Sequence, residues 1–423
     1  MSMMKKNIAL AFLLALSSQG QLEAQAGTKT QADAKISART VAMHRRLLTL
    51  DTHLDTPIHF TRPGWDFADR HRLASDPSQV DLPRMKRGAL DGGFFVIYTP
   101  QGARTPEATA KARDHALVRA VEIHEMAARL HDKVALATRA DDAERIAAQG
   151  KIIVYQSIEN AYPLSGDLGL LDSFYALGVR MIGPVHFRNN DFGDSSTDPN
   201  GPEYHGLSPL GRELVARANA LGIMLDASHA SDDVLDQLLD LSKAPIILSH
   251  SGCEGVYDHP RNVDDPRLKR LADKGGVIQI NSFGAYLAAT GPNPERDAAL
   301  LKLNQQYGDH HAMTPHDTAQ FVAARAAILR RYPGFERSYA QFEAHLIHAL
   351  RVLGLDHVGI GLDWDGGGGV IGMADVTAIP RITQTLLDAG YSEGDIAKIW
   401  GGNVLRVMKA VEAVAATDNK SGG

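Results

Sequence analysis

Short apolar runs recur along the chain, and six of them are followed at once by a side chain that can bind a metal or carry a proton. In Leu50-Asp51-Thr52-His53-Leu54-Asp55 polar groups take every second position. This is a strand pattern, and it places His53 and Asp55 on one face. An imidazole beside a carboxylate offers a nitrogen and an oxygen to a borderline ion such as zinc. Further along, Glu159 closes Ser157-Ile158-Glu159, His186 closes Pro184-Val185-His186, His229 closes Asp226-Ala227-Ser228-His229, and His250 follows Leu248-Ser249. Asp363 and Asp365 follow the last run, Ile360-Gly361-Leu362. One such residue is ordinarily a satisfied strand end; the recurrence at one level of a fold is what points to a metal site. A carboxylate such as Glu159 can bridge two ions about 3.5–4 Å apart with a hydroxide between them. Asp363 or Asp365 could then serve as the proton carrier.

The elements that must position these groups follow from the spacing of the runs, at 47–54, 93–99, 152–158, 179–187, 223–228, 245–249, 276–281 and 357–362. Rich in β-branched residues and almost continuously apolar, they suit strands buried on both faces. Residues 106–131 carry apolar positions at helical spacing, Ser208-Pro209 supplies a cap and a first-turn proline for a helix to Leu221, and 264–274 ends at Gly275-Gly276. Eight strands alternating with helices predict a (β/α)8 barrel of the TIM type, whose chemistry sits at the C-terminal strand ends. An open doubly wound sheet is the alternative, and no G-x-G-x-x-G follows the first strand. Residues 282–340 interrupt the rhythm and read as an insertion after the seventh strand. Residues 366–369 read as a flexible loop, and Ser392-Glu393-Gly394-Asp395 as a capping box. His59, His71, His115, His124, His131, His310, His311 and His316 follow no strand end. Cys253 lacks an assignable base, so it is a poor nucleophile candidate.

Composition narrows the classes. The chain of 423 residues is 44% hydrophobic and 22% charged, with a net charge of -6, which gives no basic footprint for nucleic acid or an anionic membrane surface. Lys5-Lys6, an apolar stretch at 8–16 and Ala24-Gln25-Ala26 predict a signal peptide over 1–26, cleaved near Ala26. The apolar stretch is well short of the ~20 residues a spanning helix needs, so no membrane anchor is expected in the mature chain. One cysteine excludes an intramolecular disulfide. The expected protein is exported, periplasmic or secreted, with residues 27–423 forming one barrel domain; a homodimer stays open.

Taken in order, Asp51-Thr52-His53-Leu54-Asp55, Glu159, His186, Asp226-Ala227-Ser228-His229, Ser249-His250-Ser251, Arg261-Asn262, Gly359-Ile360-Gly361-Leu362-Asp363-Trp364-Asp365-Gly366 and Gly402-Asn403-Val404-Leu405-Arg406-Val407 resemble the membrane (renal) dipeptidase family, peptidase family M19, in a bacterial secreted form. The resemblance covers roughly 45–410 and implies an amidohydrolase-like barrel with two Zn²⁺ per chain. One ion would take His53, Asp55 and Glu159, the other Glu159, His229 and His250, with Glu159 bridging. It also implies that His186 contacts the scissile carbonyl, that Arg261 binds the substrate's free carboxylate, and that Asp363 shuttles the proton. The loop Phe187-Arg188-Asn189-Asn190 would line the substrate pocket. The implied substrate is a dipeptide with a free C-terminus. The rival readings are a related binuclear hydrolase acting on an N-acyl amino acid, lactam or lactone, and a non-hydrolytic binding or maturation protein.

Overall fold

The structure is a computed structural model and describes residues 36–308 and 312–421, with side chains through Thr417. The leader at 1–26, residues 27–35 of the polar lead-in, and His310 and His311 lie outside the described residues. The lead-in helix spans Ala38–His44.

Ten parallel-paired strands follow: β1 (Leu50–Leu54), β2 (Gly92–Ile97), β3 (Val134–Leu136), β4 (Ile152–Ile158), β5 (Val179–Ile182), β6 (Met224–Leu225), β7 (Ile247–Cys253), β8 (Asn262–Val263), β9 (Val277–Ile280) and β10 (Val358–Ile360). Two ladders run β1-β2-β4-β5-β6 and β7-β9-β10. Parallel bridges between Asp226 and Ile247, and between Leu54 and Trp364, join them at both edges. The result is the predicted eight-stranded barrel. β3 and β8 lie off this path, and the sequence reading omitted both. β3 borrows the first half of one β4 edge, at Ile152 to Val154, before β5 takes the same edge from Gln156 onward.

Several strands are shorter than expected. β5 stops at Ile182 and β6 has two residues, because the chain beyond them leaves the ladder on its way into the barrel mouth. The helices at Pro106 and Pro209 start where sequence said they would, and Thr105, Ser208 and, ahead of the insertion's second helix, Thr314 each accept a backbone N–H of the first turn, with proline next in line.

The two ends of the barrel differ. At its foot, Leu50, Phe94, Tyr155, Met181, Met224, Ile247 and Val277 meet Val404, Val407, Met408 and Val411 of the terminal helix Asn403–Ser421 in one apolar cluster. The insertion after β9 forms a helical pair, Pro294–Tyr307 and Pro315–Arg331, closed by Leu303 and Met313 against Phe321. The helix Tyr339–Leu353 then returns the chain against β7, β9 and β10. Residues 366–369, expected to be flexible, are packed instead: Gly368 N donates to Asp363 O, and Gly369 N to Ser282 Oγ. Among the described residues no helix is long and apolar enough to cross a membrane.

Candidate active site

Each predicted site residue reaches the C-terminal mouth of the barrel, though β1 does so by an unexpected route. Its pairing with β2 slips by one residue between Asp51 and Leu54. Such a bulge re-aims side chains near active sites. Thr52 Oγ1 donates across the barrel to Ser249 O (2.6 Å), while Asp51 accepts the backbone N–H groups of His53 and Leu362 (3.0 and 3.1 Å). Asp55 is no longer in the strand but opens the short helix Thr56–His59. His53 Nε2 and Asp55 Oδ2 still stand 3.2 Å apart.

Glu159 is the hub. Its Oε1 lies 3.2 Å from the Nε2 atoms of both His186 and His229, and 3.6 Å from those of His53 and His250. His229 and His250 approach each other at 2.9 Å through Nε2. Three overlapping groups of possible ligand atoms result: His53, Glu159 and His250; Glu159, His186 and His229; His53, Asp55 and Asp363. Glu159 is shared by two of them, which a bridging ligand requires. The groups do not follow the expected division, since His250 falls with His53, and His186 with His229.

The residues fit divalent ions. His250 Nδ1 and Ser249 Oγ are 2.9 Å apart, and Ser249 Oγ donates its one proton to Asp226 Oδ2 (2.5 Å). His250 Nδ1 must then be the donor, which leaves Nε2 with a lone pair turned to the site. Neighbours that fix the tautomer in this way are typical of metal-ligating histidines. His53 Nδ1, Asp55 Oδ1 and His229 Nδ1 are buried with no hydrogen-bond partner among the described residues. A buried set of imidazoles and carboxylates suits zinc or a similar ion.

The electrostatics show how strongly the groups are coupled. Burial pulls His53 down, but Asp55, Glu159 and Asp363 outweigh it and hold the imidazole at about 10. Burial also opposes ionisation of Glu159, yet His186, His229 and His53 bring its carboxyl well below the usual range. His229 and His250 are driven well below the usual imidazole value, first by burial and then by neighbouring cations. Asp363 goes the other way: burial, with Asp55 and Glu159 adding to it, raises it well above an ordinary carboxyl.

The two aspartates after β10 divide cleanly. Asp363 lines the cavity, whereas Asp365 accepts from Thr56 Oγ1 (2.7 Å) and Gln79 N (2.6 Å) and faces His59 (3.3 Å). Both, like His229, hold left-handed backbone, with φ of 62°, 67° and 66°. Non-glycine residues rarely adopt that conformation, and it concentrates at functional sites. Gly366 has no room for a side chain: a Cβ there would lie 2.1 Å from Asp55 Oδ2 and 2.3 Å from Asp363 Oδ1.

Arg261 is buried beside the ligands. Its Nη1 donates to Ser251 Oγ (3.0 Å) and its Nη2 to His250 O (2.9 Å), and Nε has no partner among the described residues. The guanidinium lies 5.4 Å from the ring centre of Tyr286. The sequence reading missed Tyr98, Phe283 and Tyr286, all of which line the cavity, and anticipated Phe187, which does as well. Tyr98 immediately follows β2, one of the two strands for which no polar group was assigned; burial, then Glu159 and Asp55, raises its phenol and keeps it neutral.

A parallel barrel with a buried histidine–carboxylate centre at its C-terminal mouth defines a metal-dependent hydrolase of TIM-barrel architecture. The model of the membrane dipeptidase family, peptidase family M19, matches residues 37–422, and the chain belongs to that family. It is 31% identical over 399 residues to dipeptidase tcpJ of Claviceps purpurea (strain 20.1), covering 92% of this chain and 83% of that protein. The crystal structure of the probable dipeptidase PvdM from Pseudomonas aeruginosa superposes with a TM-score of 0.76 at 32% identity, covering 89% of this chain and 98% of that one. A metallo peptidase from Rhodobacter sphaeroides, liganded with a phosphinate mimic of the dipeptide L-Ala-D-Ala, superposes with a TM-score of 0.68 at 26% identity, covering 86% and 99%. The protein is a dipeptidase, a hydrolase of the metallo-peptidase type.

Proposed function

We propose that this dipeptidase uses two zinc ions and selects dipeptides by their free C-terminal carboxylate. The observation that carries the reading is the convergence of four imidazole Nε2 atoms on the single oxygen Glu159 Oε1. The family's division would give His53, Asp55 and Glu159 to one ion and Glu159, His229 and His250 to the other; the ligand atoms as they stand put His250 beside His53 instead, and Glu159 serves both ions in either arrangement. When bound, such a pair polarises a carbonyl and activates water at neutral pH.

The chain's own residues supply the rest. Asp363, fixed at the cavity wall, would be brought to its ionised form by the positive charge of the bound ions; it then takes a proton from the attacking water and returns it to the amine as the C–N bond breaks. His186 donates to the carbonyl oxygen as it gains charge. Arg261 provides the positive pole for the carboxylate, a match that a guanidinium makes bidentately. The same arginine holds His250 O, so a purely supporting role would show up as lost metal.

The test combines metal analysis with hydrolysis of paired substrates. Purified active protein should carry about two zinc ions per chain. An amidated dipeptide should be cleaved far less well than the free acid. Arg261→Ala should weaken cleavage of the free acid by about 2–5 kcal/mol with metal retained. Equal cleavage of acid and amide would remove the carboxylate requirement. No stoichiometric divalent ion in active protein would remove the metal pair.

A further inference from the structure

We propose that this site prefers dipeptides whose C-terminal residue carries a bulky apolar or aromatic side chain, held against a wall of Phe187, Phe283 and Tyr286. The inference rests on the dipeptidase reading with Arg261 at the carboxylate end. The wall is continuous. The Phe283 and Tyr286 rings lie 4.4 Å apart at 30°, and Phe187 and Ala285 pack against that pair. At one end Phe187 meets the His186 ring at 3.9 Å and the His229 ring at 5.1 Å. At the other, Tyr286 lies beside the Arg261 guanidinium. It therefore spans from the ligands that would face the scissile carbonyl to the cation that would hold the carboxylate. The segment of a dipeptide between those two points is its C-terminal residue.

Charge gives the same direction. The acidic groups of the cavity are Asp55, Glu159 and Asp363, and none of them belongs to the wall. None of the three wall side chains carries a formal charge at neutral pH; Tyr286 is kept neutral because burial raises its phenol. A charged C-terminal side chain would be desolvated there without a partner, whereas an apolar one would leave water for an aromatic surface.

The wall is also held in place. Ser195 Oγ donates to His186 O (2.5 Å), and Thr197 Oγ1 to Phe187 O (3.3 Å), which fix the chain that carries Phe187. Phe283 N donates to Asn281 Oδ1 just beyond β9. Phe187 comes from the chain after β5 and the other two from the start of the insertion. The insertion thus contributes two of the three wall residues.

The experiment uses the full zinc-loaded chain and two readouts. Hydrolysis of Ala-Phe, Ala-Leu, Ala-Gly, Ala-Asp and the reversed Phe-Ala gives kcat/KM. Calorimetry with phosphinate mimics of Ala-Phe and Ala-Gly gives affinity independently of turnover. Ala-Phe and Ala-Leu should exceed Ala-Gly and Ala-Asp by about 10- to 100-fold, as burial of one large apolar side chain implies. The Ala-Phe mimic should bind more tightly by a similar factor. In Phe187→Ala and Phe283→Ala the Ala-Phe to Ala-Gly ratio should fall about tenfold, mainly through KM, with zinc content unchanged. The wall is overturned if the preference follows the N-terminal side chain, or if both ratios survive both substitutions. Cleavage of all dipeptides without regard to the C-terminal side chain would overturn it while leaving the dipeptidase reading intact. Tight, Phe187-dependent binding of the Ala-Phe mimic without hydrolysis of any dipeptide would support the wall and sink the proposed chemistry.

Discussion

The same strands end in opposite ways. At the foot of the barrel they deliver Leu50, Phe94, Tyr155, Met181 and Ile247 to an apolar plug. At the mouth they deliver Asp55, Glu159, His229, His250 and Asp363, all buried, to a centre of mutually shifted charges. The foot gains free energy from burial. The mouth loses some, since buried charges and left-handed backbone at His229, Asp363 and Asp365 are costly unless a ligand or ion compensates. Stability and chemistry are thereby placed at different ends of one scaffold, and the separation can be tested.

The sharpest break is at Glu159. Glu159→Ala removes the oxygen on which four imidazoles converge, and metal content should fall from about two ions toward none, with turnover dropping to background. Chelation of the wild type should give the same loss, reversed by adding zinc. Wild-type metal content in the variant would remove Glu159 from the centre. Next in size is Asp363→Asn, which keeps shape but cannot accept a proton. Turnover should fall about 10²–10⁴-fold at near-native zinc content. Zinc lost in step with activity would make Asp363 a support for the metal instead.

At the foot the comparison reverses. Met408, 1% exposed, fills the plug from the terminal helix. Met408→Ala should cost about 2–5 kcal/mol of stability by leaving a cavity. Activity per folded molecule and zinc content should stay at the native level, as measured by denaturant unfolding beside kinetics. A proportionate loss of turnover in fully folded protein would show that the two ends are coupled.

The degree to which each end was legible follows from how local its signal is. Glu159 and His250 stand at or directly within apolar strands, so a short window of sequence exposes them. His53 and Asp55 were paired by strict alternation, but the actual cause is the bulge after Asp51, set by partners such as Leu362, 311 residues away. Tyr98 was passed over because an aromatic after an apolar run reads as core. Phe283 and Tyr286 lie in the insertion, whose lack of period hides what it faces. Residues 366–369 looked flexible from glycine content. Contacts with Ser282 and Asp363, which no local pattern encodes, pack them instead.

The smallest effect should come from Gln79, which clamps the loop bearing Asp363. Its Oε1 accepts from Asp365 N (2.8 Å), its N donates to Asp365 Oδ1 (2.6 Å), and its Nε2 donates to Gly368 O and Ala374 O (both 2.9 Å). Gly368 N in turn donates to Asp363 O, so one amide braces the turn on which the proton carrier sits. Gln79→Met keeps the volume and removes the side-chain hydrogen bonds, which separates bracing from packing. Thr56 and His59 still hold the Asp365 carboxylate, so the loop should loosen without collapsing. Small displacements of a reacting group cost up to about 10²-fold in rate. A partial loss of bracing should therefore lower kcat by about tenfold, with KM and zinc content little changed. If kcat is unmoved, the contacts of Gly368 and Gly369 suffice to set Asp363. If zinc is lost instead, the clamp acts on Asp55 through Gly366, which fills the narrow gap between the Asp55 and Asp363 carboxylates.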